Sequence, residues 1–228
     1  MRQRRKIIRL KKLLIKAVSI SLLVCLVILA VLARGKPLVK EDHHQIIVQK
    51  DIYGNWVETQ PEQITYYAQT DERWSEVMIG DGQKIRNNGC VPSVAAMILT
   101  QYGYEKTPLE MAEEFHDWGH YNAEYGHGTD SGVWRQVSMN YGLSMESCET
   151  EAELEDALKS GMMVAACIKI GYGAHCVLLV GLTPDKKTTV YDPIYGTFDR
   201  SVEGLFQAKS EDPVDQIDGG PIIAIDKA

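Results

Sequence analysis

The chain has 228 residues, 45% of them hydrophobic and 24% charged, which fits one compact domain with additional segments. Its formal net charge is −7, but residues 1–40 hold 11 of the 24 Lys and Arg and none of the 31 Asp and Glu. The remaining residues therefore carry 13 basic and 31 acidic side chains, a net charge of −18. Because an acidic surface repels phosphate backbones, the composition argues against nucleic acid as a partner.

The N-terminal residues have the pattern of a membrane anchor. Residues 1–16 are strongly basic, and Ala17–Ala33 contain no charged residue. As a helix this stretch spans about 26 Å, close to the ~30 Å of a bilayer core. The basic segment is expected to stay in the cytoplasm, which places the rest of the chain outside it. A cleaved signal peptide ending at Ala33 stays open, although the uncharged stretch is longer than a usual signal sequence.

Beyond the anchor, the pattern divides into a polar linker, residues 34–63, and a domain, residues 64–228. The linker includes a candidate hairpin from segments 46–48 and 55–57. Helical patterns come first in the domain and strand patterns follow, which predicts an α+β fold with an antiparallel sheet. The predicted helices are 90–102, 108–118, 131–141, 150–161 and a short helix 201–209. The predicted strands are 65–68, 163–170, 175–182, 188–191, a strand from 198, and 221–225.

Two of these helices carry start signals of one type. Thr107 is followed three residues later by Glu110, and Thr150 by Glu153. This spacing is typical of a capping box, in which the two side chains bond reciprocally to the first backbone N–H groups of a helix. Both helices are therefore predicted to begin directly after a threonine.

Cys90 stands between a glycine-bearing turn and a helix that is apolar on nearly every side. A thiol there faces unpaired backbone N–H groups and the positive end of the helix dipole, which favour the nucleophilic thiolate. The alternative is a cysteine that packs as a small hydrophobic residue. The other cysteines show no C-x-x-C spacing, and a Cys148–Cys167 or Cys167–Cys176 bridge stays open.

His175 and Asp192 are polar residues at the ends of two neighbouring apolar strands. If these strands pair antiparallel, the start of one lies beside the end of the other, within side-chain reach. A carboxylate there fixes the imidazole tautomer and leaves the second ring nitrogen for a nucleophile. A purely structural His–Asp pair would have the same pattern.

Four segments together resemble the papain-like cysteine peptidases related to bacteriocin-processing (double-glycine leader) peptidases. They are Gln69–Trp74, Asn88–Ser93, Gly173–Val177 and Tyr191–Gly196. The resemblance covers about residues 64–226 and implies a papain-like fold, with a helical lobe and a buried nucleophile helix packed on the antiparallel sheet.

The resemblance also implies roles for individual residues. Cys90 matches the nucleophile, His175 the general base and Asp192 the residue that orients the histidine, while Gln69 matches an oxyanion-hole donor. It implies no cofactor, and His116 and His120, four apart, lack the other ligands of a metal site. Val91 replaces the glycine usual after the cysteine, and the gap of 21 residues from Gln69 to Cys90 resembles secreted or membrane-tethered relatives.

The expected function is therefore that of an extracytoplasmic cysteine hydrolase, a peptidase or amidase that acts through a thioester acyl-enzyme. Its expected partners are a peptide or cell-wall peptide substrate and the membrane that holds the N-terminal helix. The alternative is an inactive relative that binds peptide or cell-wall material in the same cleft.

Arg73 and Trp74 are expected to support the turn at Gln69 rather than to take part in chemistry. The aromatic loop 119–130 either lines the cleft or packs on the surface.

Overall fold

The computed structural model describes residues 47–50, 56–59, 64–80, 83–122, 128–171 and 173–228. The predicted basic segment, the membrane helix, Cys25 and most of the linker lie outside these ranges, as does the centre of the aromatic loop, residues 123–127. No helix within the described ranges is long and apolar enough to cross a membrane. All described residues belong to one compact unit, residues 44–228.

The helices among the described residues agree with the predicted order, except that the short helix Ile85–Asn88 was not predicted. They are α1 (Ile85–Asn88), α2 (Cys90–Gln101), α3 (Pro108–Asp117), α4 (Val133–Tyr141), α5 (Glu151–Lys159) and α6 (Val202–Gln207), followed by a 3₁₀ turn at Pro213–Gln216. Both capping boxes are present, since the Thr107 and Thr150 side chains accept the N–H groups of Glu110 and Glu153 at 3.3 and 3.2 Å. The two helix starts predicted from the sequence are therefore confirmed.

The strands form one large sheet and three small hairpins. The described strands are β1 (Ile47–Lys50), β2 (Trp56–Thr59), β3 (Met78–Ile79), β4 (Gln83–Lys84), β5 (Tyr121–Asn122), β6 (Gly128–Thr129), β7 (Leu143–Ser147), β8 (Met163–Ile170), β9 (Gly173–Val180), β10 (Lys187–Asp192), β11 (Gly196–Ser201) and β12 (Ile222–Lys227). The large sheet has six antiparallel strands in the order β11-β10-β9-β8-β12-β7. This arrangement confirms the predicted α+β class, and the β1–β2 pair confirms the linker hairpin.

Two strand expectations fail. Residues 65–68, expected to form a strand, belong to no sheet. This segment is instead held beside β10 by the Tyr66 hydroxyl, which donates to the Asp192 carbonyl oxygen at 2.8 Å. Strand β7 was not expected. Its five residues, Leu143–Ser147, include small and charged side chains and show little alternation of apolar and polar positions. It closes one edge of the sheet by pairing with β12.

Helix α2 is the centre of the larger hydrophobic core. Every residue from Val91 to Leu99 is buried, and the helix packs on the sheet face that carries Cys167, Cys176 and Leu178. The opposite face, which carries Val177 and Leu179, forms a second core. Since α2 is buried on nearly all sides, its first residue is held in a fixed position relative to strand β9.

Candidate active site

Cys90 is the first residue of α2, and the turn before it can be made only by glycine. A Cβ on Gly89 would lie 2.5 Å from the Ile85 carbonyl oxygen and 2.6 Å from the Ile85 Cγ2 atom. These distances are far below van der Waals contact, so the chain passes from α1 into α2 at Gly89 without room for a side chain. The turn leaves Cys90 only partly buried, and its thiol is free.

The sulfur of Cys90 lies among groups that stabilise negative charge. Burial by itself raises the pKa of this thiol, but hydrogen bonding and charge interaction with the His175 ring lower it. The backbone N–H groups of Cys176 and Val91 lower it further, and the net pKa is below the ordinary thiol value. The backbone pairing between β9 and β10 ends at the pair Leu178–Tyr191. The N–H of Cys176 therefore lies past the end of this pairing, where it interacts with the Cys90 sulfur.

His175 connects Cys90 to Asp192. Its Nε2 atom lies 2.7 Å from Oδ1 of Asp192, and both side chains are buried. Because Nε2 is occupied by the carboxylate, Nδ1 is the ring nitrogen left to interact with the Cys90 sulfur. The structure therefore brings the cysteine, the histidine and the aspartate singled out in the sequence into one contiguous group.

The electrostatics of this group favour a charged imidazole. Burial lowers the pKa of His175, but the hydrogen bonds to Asp192 and Cys90 and their charges outweigh it and raise the pKa to about 10. Burial raises the pKa of Asp192, yet the bonds from His175 and from the N–H groups of Ile194 and Tyr195 bring it below its usual value. A thiolate–imidazolium pair beside an ionised carboxylate is the protonation state that these directions describe.

Gln69 lies against the same loop as Asp192. Its backbone N–H donates to the Pro193 carbonyl oxygen at 3.0 Å, and its Nε2 donates to the Arg86 carbonyl oxygen at 2.8 Å. The side chain is buried, and its Oε1 has no hydrogen-bond partner among the described residues. An amide nitrogen carries two hydrogens, so one N–H remains after the bond to Arg86.

The turn that carries Gln69 is supported as predicted. The Trp74 ring is buried and its Nε1 donates to the Ala68 carbonyl oxygen at 2.8 Å. The Arg73 guanidinium lies 4.3 Å from the centre of the Trp74 ring and pairs with Asp71. Together these contacts hold the residue directly before Gln69.

Two histidines considered as metal ligands have other partners. His116 Nδ1 lies 3.2 Å from the Tyr121 carbonyl oxygen, and His120 Nδ1 lies 2.8 Å from Asp130 Oδ1. Within the described ranges, no group of three or more His, Cys, Asp or Glu is placed to hold a metal ion.

Sequence reasoning missed two features of the site. Tyr66 reaches the Asp192 backbone, and the Cys176 N–H reaches the Cys90 sulfur. The first had no signal in the sequence beyond its position near Gln69. The second depends on where a ladder between strands ends, which sequence patterns do not specify.

The comparisons with known proteins identify the family of the chain. The Peptidase_C39 like family matches residues 61–211, well over half of the chain, and the matched range contains the cysteine, histidine, aspartate and glutamine. The chain belongs to this family, which makes it a cysteine peptidase-like hydrolase. The resemblance inferred from the four sequence segments is confirmed. No curated protein sequence matches the chain.

The chain is also similar to solved structures of low sequence identity. A candidate C39-like peptidase from Bacillus anthracis is 18% identical, with a TM-score of 0.54 over 73% of this chain and 96% of the other. A double glycine motif protease from an AMS/PCAT transporter, solved with its leader peptide, is 16% identical, with a TM-score of 0.45 over 74% and 94%. The peptidase domain of Streptococcus ComA is 15% identical, with a TM-score of 0.47 over 64% and 96%. The first of these shares its fold with this chain.

Proposed function

We propose that this chain is an extracytoplasmic cysteine peptidase or amidase with Cys90 as its nucleophile. His175 acts as the general acid and base of the reaction, and Asp192 holds the imidazole in position. The observation that carries the proposal is the continuous contact from the Cys90 sulfur through the His175 ring to the Asp192 carboxylate, 2.7 Å from Nε2. Membership in a peptidase family supports a peptide as the substrate.

The proposed reaction is acyl transfer through a thioester. The Cys90 thiolate attacks the substrate carbonyl carbon, and the His175 imidazolium gives its proton to the leaving amine. A water molecule, deprotonated by the neutral imidazole, then attacks the thioester and releases the acid product. Throughout, the Asp192 carboxylate stays ionised and stabilises the charged form of the ring.

Gln69 is proposed to stabilise the oxyanion of the tetrahedral intermediate together with the Cys90 backbone N–H. Two contacts support this role: the Arg86 carbonyl oxygen fixes the Gln69 amide at 2.8 Å, and Pro193 fixes its backbone at 3.0 Å. A donor held by such contacts needs no reorganisation when charge develops, which is the condition for efficient electrostatic catalysis.

The proposed location follows from the N-terminal charge pattern. The basic residues 1–16 and the uncharged stretch Ala17–Ala33 support a catalytic domain outside the cytoplasm that is tethered to the membrane. In that location the domain would have access to peptides or to the peptide part of the cell wall as substrates.

Alkylation of Cys90 by iodoacetamide as a function of pH tests the proposal directly. Cys90 lies in the tryptic peptide 87–106, so its modification can be followed by mass spectrometry separately from the other cysteines. We expect rapid modification to continue well below pH ~8.5, the pKa of a free thiol, because a thiolate persists there. The same preparation is tested for cleavage of a peptide library, and Cys90→Ala is expected to remain folded and to abolish cleavage.

The alternative, an inactive binding relative, predicts different results. An ordinary thiol titration at Cys90 together with no cleavage would support the binding protein. Cleavage by the Cys90→Ala variant would contradict the proposed nucleophile, and Cys148→Ala serves as the control for loss of a cysteine elsewhere in the fold.

A further inference from the structure

Behind the Cys90–His175 pair lies a second group of reactive side chains, which the proposed reaction does not use. It consists of Cys167 on β8, Cys176 on β9 and Asp215 in the 3₁₀ turn. All three are buried, and both cysteines are free thiols that belong to the core cluster on the α2 side of the sheet.

The two cysteines face each other directly across the sheet, since Cys167 is paired with Cys176 in the β8–β9 register. The main-chain groups of Cys167 point away from β9: its N–H donates to the Pro221 carbonyl oxygen at 2.7 Å, and its carbonyl oxygen accepts the Ser210 N–H at 2.9 Å. The pair therefore occupies a non-hydrogen-bonded site of the antiparallel ladder, where facing Cα atoms lie about 4.5 Å apart. That separation lies within the range of about 4.4–6.8 Å found in disulfides.

The side chains of the pair lie on the same face of the sheet, because the two residues are directly opposite each other. The interaction between the two thiols raises the pKa of Cys167 and lowers that of Cys176, while burial raises the pKa of both. The register of the two strands therefore does not have to change for a bond to form between these sulfurs.

A buried carboxyl group adjoins this pair. Asp215 interacts with the Cys167 thiol, and its Oδ2 has no hydrogen-bond partner among the described residues. The segment that carries it is anchored beside β8 by the Ser210–Cys167 bond and by Gln216, whose Nε2 donates to the Ser210 carbonyl oxygen at 2.9 Å. Burial raises the pKa of Asp215, and the Ser210 and Cys167 side chains offset this only in part. The pKa of the Cys167 thiol is raised well above its ordinary value, so this thiol loses its proton readily only to a base beside it. A thiol reacts with an oxidant only after it loses its proton, and Asp215 is placed to accept it.

We propose that Cys167, Cys176 and Asp215 form a redox site that is converted by hydrogen peroxide into a cross-strand Cys167–Cys176 disulfide. Asp215 accepts the Cys167 proton, and the thiolate attacks one peroxide oxygen, which breaks the O–O bond and gives a sulfenic acid. The released hydroxide takes the proton from Asp215 and becomes water. The Cys176 sulfur then attacks the Cys167 sulfur, the S–O bond breaks, and a second water leaves with the Cys176 proton. Two thiols are oxidised by two electrons while the peroxide is reduced to two molecules of water.

The site does not depend on the peptidase chemistry, because Cys90 takes no part in it. The Cys176 N–H that interacts with the Cys90 sulfur belongs to strand β9. The disulfide would therefore link β8 covalently to β9 next to the candidate active site.

The test uses full-length protein carrying Cys90→Ala, which removes the one partly exposed cysteine among the described residues. After treatment with hydrogen peroxide and blocking with iodoacetamide, trypsin cleaves at Lys169, between the two cysteines, and separates peptides 160–169 and 170–186. We expect these two peptides to be found joined by a disulfide, and to separate on reduction. The link should persist in Cys148→Ser and disappear in Cys167→Ser. Recovery of both peptides alkylated, or each carrying a sulfinic acid without a link, would overturn the redox pair.

The role of Asp215 has its own measurement. Asp215→Asn should form the disulfide several-fold more slowly at neutral pH, with the difference closing in alkali, where hydroxide removes the thiol proton. Glu211→Gln is the matched control, because it removes an exposed carboxylate of the same segment that pairs with Lys169. An unchanged rate in Asp215→Asn would remove Asp215 from the site.

Discussion

The Nε2 atom of His175 and the Oδ1 atom of Asp192 are 2.7 Å apart in a buried contact between two adjacent strands. The same oxygen also accepts the backbone N–H groups of Ile194 and Tyr195, at 2.8 and 3.1 Å. Hydrogen bonds from its own loop therefore fix the position of the carboxylate independently of its contact with the imidazole. This arrangement holds the ring with Nε2 occupied and Nδ1 available to Cys90.

Asp192→Asn tests the electrostatic part of this contact. The amide oxygen can accept the same hydrogen bonds, but the negative charge that raises the pKa of His175 to about 10 is lost. Since activity requires a protonated ring, the alkaline limb of the kcat/KM profile should move from near pH 10 to lower pH. At neutral pH we expect a loss of about 100-fold, the lower end of what a general acid–base group contributes. Kinetics of peptide cleavage measured against pH give both quantities.

Asp185→Asn is the control, because Asp185 is an exposed aspartate paired with Lys187 in the turn between β9 and β10. It should leave the pH profile in place. If Asp192→Asn kept an alkaline limb at the wild-type pH, the carboxylate would have no role in holding the proton on His175.

His175→Ala should reverse the lowered pKa of Cys90. Burial raises the pKa of this thiol, and in the wild type the histidine ring together with the N–H groups of Cys176 and Val91 outweighs that effect. With the ring gone, only the N–H groups of Val91 and Cys176 oppose burial, so alkylation should shift to the pH range of an ordinary thiol or above. The measurement is the pH dependence of iodoacetamide labelling of peptide 87–106. His116→Ala, whose ring contacts the Tyr121 carbonyl oxygen, should leave the curve unchanged.

Much of the architecture could be predicted because its signals are local. The capping boxes at Thr107 and Thr150 depend on side chains three residues apart, and both are present. Gly142 ends α4 in the left-handed conformation, with φ +62°, as a glycine after a helix is expected to do. The apolar run Met163–Ile170 forms strand β8 with the predicted bounds.

What could not be predicted depends on contacts between distant segments. Strand β7 forms because β12, far along the chain, offers it an edge, and its own residues show little pattern. Residues 65–68 have strand-forming side chains, yet the Tyr66 hydroxyl bonds the Asp192 carbonyl oxygen and the segment joins no sheet. The proximity of His175 to Asp192 was predictable from the antiparallel pairing of their strands. The position of Cys90 beside them could not be predicted from strand pairing, because it depends on how α2 packs on the sheet.

Gln69→Ala tests the proposed oxyanion donor. Loss of one such donor typically costs about 100- to 1000-fold in kcat with a smaller change in KM. The variant also loses the bond to the Arg86 carbonyl oxygen, so the free energy of unfolding should fall by about 1 kcal/mol. Steady-state kinetics and denaturant unfolding separate the two effects. Gln207→Ala, which removes an exposed glutamine that bonds Glu203 on α6, should change neither the rate nor the stability appreciably. A Gln69→Ala enzyme with unchanged kcat would exclude the donor role.

Thr150→Ala should affect stability alone. The threonine hydroxyl caps α5 by accepting the Glu153 N–H at 3.2 Å, and the Glu153 carboxylate bonds back to the Thr150 N–H at 3.0 Å. Loss of an N-cap of this kind costs about 0.5–2 kcal/mol. Since α5 packs on the sheet face opposite α2, cleavage kinetics at low temperature should stay at the wild-type value. Thr150→Ser, which keeps the hydroxyl, should restore most of the stability.

Gly89→Ala should disturb the fold and the candidate active site together. The new Cβ would lie 2.5 Å from the Ile85 carbonyl oxygen. This oxygen already accepts a hydrogen bond from the Gly89 N–H at 2.7 Å. The clash can be relieved only by moving α1 or the start of α2, at a cost of about 1–3 kcal/mol for an overpacked position. Either movement displaces the Cys90 sulfur from His175, so kcat/KM should fall even at temperatures where the variant is fully folded. Gly128→Ala is the matched control, because a Cβ there meets no atom of the described residues within 4 Å. Wild-type stability and kinetics in Gly89→Ala would contradict the inference that the α1–α2 turn positions the nucleophile.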